Sequence, residues 1–125
     1  MIVTPELLVE DLSITIDFYV KELGFKVMTI FPDNEPFFAI IKNDDAQIML
    51  YSRKQFAEEI PEFSNVPMGG SFVLYINVEN IESLYKNLKN VSKVVQTLHK
   101  TNYGTTEFTC EDPNGYKLMF AENKK

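Results

Sequence analysis

One histidine and one cysteine leave this chain little material for metal binding or nucleophilic chemistry. Cys110 is followed by Glu111 and Asp112, charges that disfavour a thiolate, so it reads as a strand residue. His99 ends an apolar stretch and reads as a surface or strand-end residue. What remains is a scattered polar and soft set. Glu6 and Lys117 could form an acid–base pair or a polar anchor, or only a solvated ion pair worth about 0–1 kcal/mol. Met49 and Met119 offer thioethers for an adaptable apolar floor. Tyr51, Tyr75 and Tyr103, with one of the adjacent Phe37 and Phe38, could stack on a planar or apolar ligand. Taken singly, the rings read as core or half-exposed strand surface. Taken together on one face, they read as a binding groove. No nucleophile stands beside a base, so no catalytic set is assigned.

The elements that must carry these residues follow from hydrophobic period. "IVTPELLV" (residues 2–9) reads as a strand and "DLSITIDFYVKEL" (11–23) as a helix with Leu12, Ile16, Tyr19 and Leu23 on one face, Asp11 as N-cap and Gly24 as stop. Three strands follow, "FKVMTIF", "PFFAIIK" and "QIMLYS", parted by the turn signals "PDNE" and "NDD". The second half repeats this order: a strand "SFVLYINV" (71–78), a helix from N-cap Asn80 to Asn90, then "KVVQTL", "GTTEFTC" and "YKLMFA". An offset of 69 carries Val9 to Val78 and Asp11 to Asn80, and an offset of 70 carries Met49 to Met119. This is an internal duplication. Module 1 spans about residues 1–52, a connector 53–70, and module 2 about 71–125, together one domain. Eighteen connector residues permit the modules to pair within one chain or between two.

Alternation then assigns faces. Leu7, Val9, Ile48, Leu50, Leu74, Ile76, Leu118 and Phe120 form apolar faces suited to helix cover. Thr4, Glu6, Met49, Tyr51, Val73, Tyr75, Lys117 and Met119 fall on the mixed faces, which are either solvated or curled around a partly polar guest. The methionines and tyrosines favour a groove, since clustered exposed apolar groups need a reason.

Composition sets outer limits. A 125-residue chain with 45% hydrophobic residues can bury a core. A net charge of −6 disfavours nucleic acid and anionic membranes. A single cysteine allows no intrachain disulfide, and neither a signal peptide nor an 18-residue apolar run is present, so a cytoplasmic protein without membrane contact is expected.

Two end motifs carry a family resemblance. "LLVEDLSITIDFYVKELGFKV" (7–27) resembles the opening of vicinal oxygen chelate proteins, the glyoxalase, bleomycin-resistance and extradiol-dioxygenase relatives, and "YGTTEFTCEDPNGYKLMFAE" (103–122) resembles their closing. The resemblance spans essentially the whole chain. It implies an α+β fold of two βαβββ modules in tandem, each a curled mixed sheet forming half of a cleft, and commonly a homodimer. Enzymes of this kind commonly hold a divalent metal through one His, Glu or Gln on each of four strands. Carried onto this sequence, those positions are Thr4, Met49, Val73 and Met119. None suits a hard or borderline divalent ion. A register slip of two would recruit only Glu6 and Gln47 as oxygen ligands.

The expectation is therefore a protein resembling the metal-free bleomycin-resistance members, without metal or cofactor, sequestering a cationic or aromatic small molecule. Glu6, Phe38, Met49, Tyr51, Val73, Tyr75, Tyr103, Lys117 and Met119 are the expected ligand-binding residues. The alternatives are a lyase or isomerase using Glu6 or an imported cofactor, and an interaction module with a vestigial cleft.

Overall fold

The computed structural model describes residues 1–123. These form eight strands and three α-helices, in two compact units that divide between Met68 and Gly69. In unit 1 the order is β1 (Glu6–Val9), α1 (Leu12–Leu23), β2 (Lys26–Phe31), β3 (Phe38–Asn43), β4 (Ala46–Ser52) and α2 (Arg53–Glu59), with a 3-10 turn at Pro61–Phe63. In unit 2 it is β5 (Val73–Asn77), α3 (Ile81–Leu88), β6 (Val94–Lys100), β7 (Thr105–Glu111) and β8 (Lys117–Asn123). The sheets run β1-β4-β3-β2 and β5-β8-β7-β6. Each has one parallel pair, β1 with β4 and β5 with β8, and antiparallel pairs elsewhere.

The duplication is kept down to register. Leu7 pairs with Leu50 in the first sheet, and the residues 69 and 70 further on, Ile76 and Phe120, pair in the second. By the same shift the pair Glu6–Met49 becomes Tyr75–Met119.

Helix α1 starts and stops where its caps dictate. The Asp11 carboxylate accepts from the Ile14 N–H at 2.9 Å, and Gly24 closes the helix at φ 73°, a left-handed position that costs glycine little. The buried stripe is Leu12, Thr15, Phe18 and Tyr19, with Ile16 and Leu23 only half-buried. Tyr19 meets Phe18 and Phe25 edge-on at centroid distances of 5.4 and 5.5 Å. Helix α3 begins differently. Asn80 lies at φ 58° and its side chain caps nothing; the Glu122 carboxylate of β8 instead accepts from the backbone N–H groups of Asn80 (2.9 Å) and Ile81 (3.2 Å).

The cores lie on the expected faces. Leu7, Val9, Ala39, Ile41, Ile48 and Leu50 are buried in unit 1. In unit 2, Phe108 stacks on Phe120 at 5.1 Å and meets Tyr85 of α3 at 5.0 Å. Gly69 closes on the Gly115 turn so tightly that a Cβ there would lie 2.5 Å from the Gly115 carbonyl oxygen.

Two expectations need correction. The first strand begins at Glu6 rather than residue 2: Ile2 and Val3 stand exposed, and Thr4 precedes the strand. The connector, by contrast, holds a helical turn at "KQFAEEI" as its composition suggests: α2 and the 3-10 turn are ordered because Phe56 and Phe63 pack on each other at 5.1 Å and Phe56 on Tyr51 at 5.0 Å. Phe37 and Phe38 do not divide between core and open face. Phe37 precedes β3, where alternation no longer applies, and both rings contact Tyr51, at 5.6 Å each. No helix among the described residues is long and apolar enough to cross a membrane.

Candidate functional site

The expected ligand-binding residues other than Tyr103 fall on the strand faces opposite the buried ones, in two unlike sets. In unit 1, Glu6 stands beside Met49 and Ile40 in one row across β1, β4 and β3, and Leu8 beside Tyr51, Phe38 and Phe31 in the next. Tyr51 is the hub, touching Phe37, Phe38 and Phe56. Its burial, then the negative charges of Glu59, Glu6 and Glu58, hold the phenol above its ordinary value and keep it neutral. This surface is aromatic and aliphatic, with Glu6 exposed at its border.

In unit 2, Tyr75 stands beside Met119 and Thr109, and Val73 beside Lys117. Tyr103, in the turn before β7, is two-thirds exposed, and Tyr75 half-exposed. Between them is a residue that face assignment of the other strands did not reach. Glu107 on β7 is buried, at 2% exposure. Its carboxylate accepts from the Tyr75 hydroxyl at 2.8 Å, from the Tyr103 hydroxyl at 3.0 and 3.1 Å, and from the Thr105 hydroxyl at 2.8 Å. Burial pushes this carboxyl up. The hydrogen bonds from Tyr75, Thr105 and Tyr103, with His99 across the β6–β7 ladder, outweigh burial and leave it below the ordinary carboxylate value. The bond to Glu107, then burial and the carboxylate's charge, raise both tyrosines, and at Tyr103 the Thr105 and Thr101 hydroxyls act the other way without reversing the shift. The result is a fixed negative charge with two neutral phenols over it. The signal for Glu107 was present in the chain: the 69-residue shift that takes Thr4 to Val73 takes Phe38 to Glu107. Thr109, two residues on and on the same face, is 5% exposed, and its hydroxyl has no hydrogen-bond partner.

Glu6 and Lys117 are on strands of different sheets, Glu6 on β1, paired to β4, and Lys117 on β8, paired to β5 and β7. The Lys117 ammonium is taken up at 2.9 Å by Glu111 and at 2.9 Å by the Gly115 carbonyl, so it serves the turn rather than an acid–base pair. A groove of about 630 Å³ in unit 1 is lined by Glu10, Asp11, Ile16, Ile30, Lys54 and Gln55. It lies beside the start of α1, on the helix side of the sheet, and not on the open face.

Comparison with known proteins now decides the family. The family model described as Glyoxalase/Bleomycin resistance protein/Dioxygenase superfamily matches residues 2–120. The chain belongs to this superfamily. No curated protein matches it by sequence. Solved structures show the same fold. A protein of unknown function from Agrobacterium tumefaciens str. C58 is 19% identical at a TM-score of 0.81, covering 99% of this chain and 94% of its own. A glyoxalase-related enzyme from Fulvimarina pelagi is 16% identical at 0.81, covering 98% and 88%. TnmS3, an antibiotic binding protein from Streptomyces sp. CB03234, is 18% identical at 0.73, covering 99% and 98%.

The metal implied by enzymes of the superfamily does not fit the side chains of this member. The four positions that the resemblance assigns to the ligands hold a hydroxyl, two thioethers and an isopropyl group, at Thr4, Met49, Met119 and Val73. Among the described residues no three His, Cys, Asp or Glu side chains gather elsewhere to replace them.

Proposed function

We propose that the protein binds a small organic molecule on its open sheet faces and holds it without a resident metal ion. The observation that carries this reading is the presence of Met49 and Met119 at equivalent register positions, Met49 one row from the Tyr51–Phe38 pair and Met119 beside Tyr75. Thioethers and rings adapt to apolar and planar guests and are poor partners for a hard cation. The likeness to an antibiotic binding protein is compatible with this reading, and the ligand could be a drug of similar type. Acid–base catalysis by Glu6 is not favoured by the geometry, since Glu6 is exposed and its cross-strand neighbour is Met49. Association into a homodimer accompanies the reading, and light scattering on the purified protein checks it.

The test combines elemental analysis with a thermal-shift screen of planar cations, neutral aromatics and aromatic acids, with and without EDTA. The expected result is no stoichiometric transition metal and a saturable rise in midpoint that the chelator leaves unchanged. A ligand at a hundred times its Kd adds about 2.7 kcal/mol, a shift of several degrees. One equivalent of Zn, Mn, Ni or Fe per chain, or stabilisation lost to EDTA, overturns the proposal.

A further inference from the structure

The Glu107 cluster has a chemical polarity of its own. Each phenol owns one proton, and both Tyr75 and Tyr103 spend it on the Glu107 carboxylate. Their oxygens, on half-exposed and two-thirds-exposed residues, are left with lone pairs only. Thr105 also commits its proton to Glu107. What this face offers outward is acceptors and ring faces, backed by a carboxylate. Among the described residues no lysine or arginine forms an ion pair with that carboxylate, and His99, across the β6–β7 ladder, is the basic group that acts on it. A second observation points the same way. The Thr109 hydroxyl is buried on the same face and unsatisfied, a state that costs about 1–3 kcal/mol and that a polar ligand atom would relieve.

We propose that Tyr75, Tyr103 and Glu107 form a recognition site for an organic cation that carries N–H donors on an aromatic body, an ammonium or amidinium. The inference rests on the reading of the protein as a small-molecule binder and names the class of molecule. Glu107 acts as a positioning residue: it fixes both phenols as acceptors and supplies the charge behind them. The cation touches the phenol oxygens and the ring faces, where its attraction to the π-system adds to that of the charge. An aromatic carboxylate of the same size meets acceptors where it needs donors, and a like charge behind them, so it is excluded.

The test uses the full chain with tyrosine rings isotopically labelled, the Tyr75 and Tyr103 signals being assigned from Tyr75→Phe and Tyr103→Phe. The probes are 2-phenylethylammonium, benzamidinium, neutral 3-phenylpropanamide and anionic 3-phenylpropionate. The cations are expected to shift both ring signals saturably, with at least about tenfold tighter binding than the anion and a gap that narrows as salt is raised. Glu107→Gln, which keeps an acceptor and the shape, is expected to bring cation and anion within about threefold of each other. Tyr103→Phe, at an exposed position, is expected to fold normally and to weaken the cations alone, which keeps the proposal testable if Glu107→Gln misfolds. Equal binding of anion and cation, an undiminished gap in Glu107→Gln, unchanged cation affinity in Tyr103→Phe, or no shift of either ring overturns the proposal. Ligand stabilisation without charge preference defeats only this inference. A stoichiometric metal defeats the broader reading.

Discussion

Removal of the Glu122 carboxylate tests how unit 2 joins its helix to the strand that carries Met119. Helix α3 spans only eight residues, too few to hold itself together by propensity. Its first N–H groups have no partner within the helix, and those of Asn80 and Ile81 find one in Glu122, at 2.9 and 3.2 Å. Loss of a capping acceptor costs about 0.5–2 kcal/mol, and loss of a negative charge at a helix N-terminus about 0.3–1 kcal/mol. Because the contact is partly exposed, Glu122→Ala is expected to cost about 1–2 kcal/mol in total, seen as a lower urea midpoint at unchanged slope. Glu122→Gln keeps one acceptor and loses the charge, so it should fall between the two, and its gap from the parent should shrink in 1 M NaCl, where the screening length is about 3 Å. Amide exchange at Asn80 and Ile81 should quicken in Glu122→Ala. A variant within about 0.3 kcal/mol of the parent, with both amides still protected, would show that α3 is capped in some other way.

Further outcomes follow from single contacts. Gly69→Ala combines a left-handed φ of 83° with a Cβ driven against the Gly115 carbonyl at 2.5 Å; a loss of about 2–4 kcal/mol is expected in thermal or urea unfolding. Stability should also vary with pH through Glu107. Its folded-state pKa is depressed, so its contribution is present above the ordinary value of 4.5 and is lost as pH falls through the lowered folded value. Tyr75 and Tyr103 are raised, so theirs is present below 10.0 and is lost as pH rises through the raised values. Urea midpoints of Glu107→Gln against pH should be flatter than the parent at both ends.

The fold was legible because its signals are local and repeated. Asp11 and Gly24 bracket α1 as read, and the strand faces built on Leu7, Leu50, Leu118 and Phe120 are the buried ones. The misreadings arise where tertiary contacts override local pattern. Ile2 and Val3 alternate like a strand, yet the chain pairs only from Pro5, whose carbonyl accepts from the Met49 N–H at 2.9 Å. Asn80 holds the N-cap position as read, yet its backbone adopts φ 58°, its side chain caps nothing and a residue more than forty positions away supplies the acceptor. Lys117 was read without its partner, Glu111 on the neighbouring strand, opposite it in register and 2.9 Å away. Glu107 escaped because a buried carboxylate is identified by the donors around it, and two of those, Tyr75 and Tyr103, lie 32 and 4 residues away in sequence.

The two open faces differ by a small number of exchanges that depend on each other. The 69-residue shift pairs Phe38 with Glu107 and Glu6 with Tyr75, and the 70-residue shift pairs Tyr51 with Ala121. In unit 2 the acid at 107 is tolerated because the residue on β5 that reaches it is a phenol. In unit 1 the equivalent residue is Glu6, so an acid at position 38 would meet a second carboxylate amid the rings of Phe31, Phe37 and Tyr51. Phe38→Glu is therefore expected to destabilise by more than about 2 kcal/mol, through lost ring packing and an ill-matched charge. Glu6→Tyr added to Phe38→Glu should recover part of that loss, although Glu6→Tyr alone should do little at its exposed site. A double-mutant cycle in urea measures the coupling, expected at about 1 kcal/mol or more in the favourable direction. If the double variant is no more stable than Phe38→Glu alone, the phenol is not what makes the acid tolerable, and the polar character of the unit 2 face has another origin.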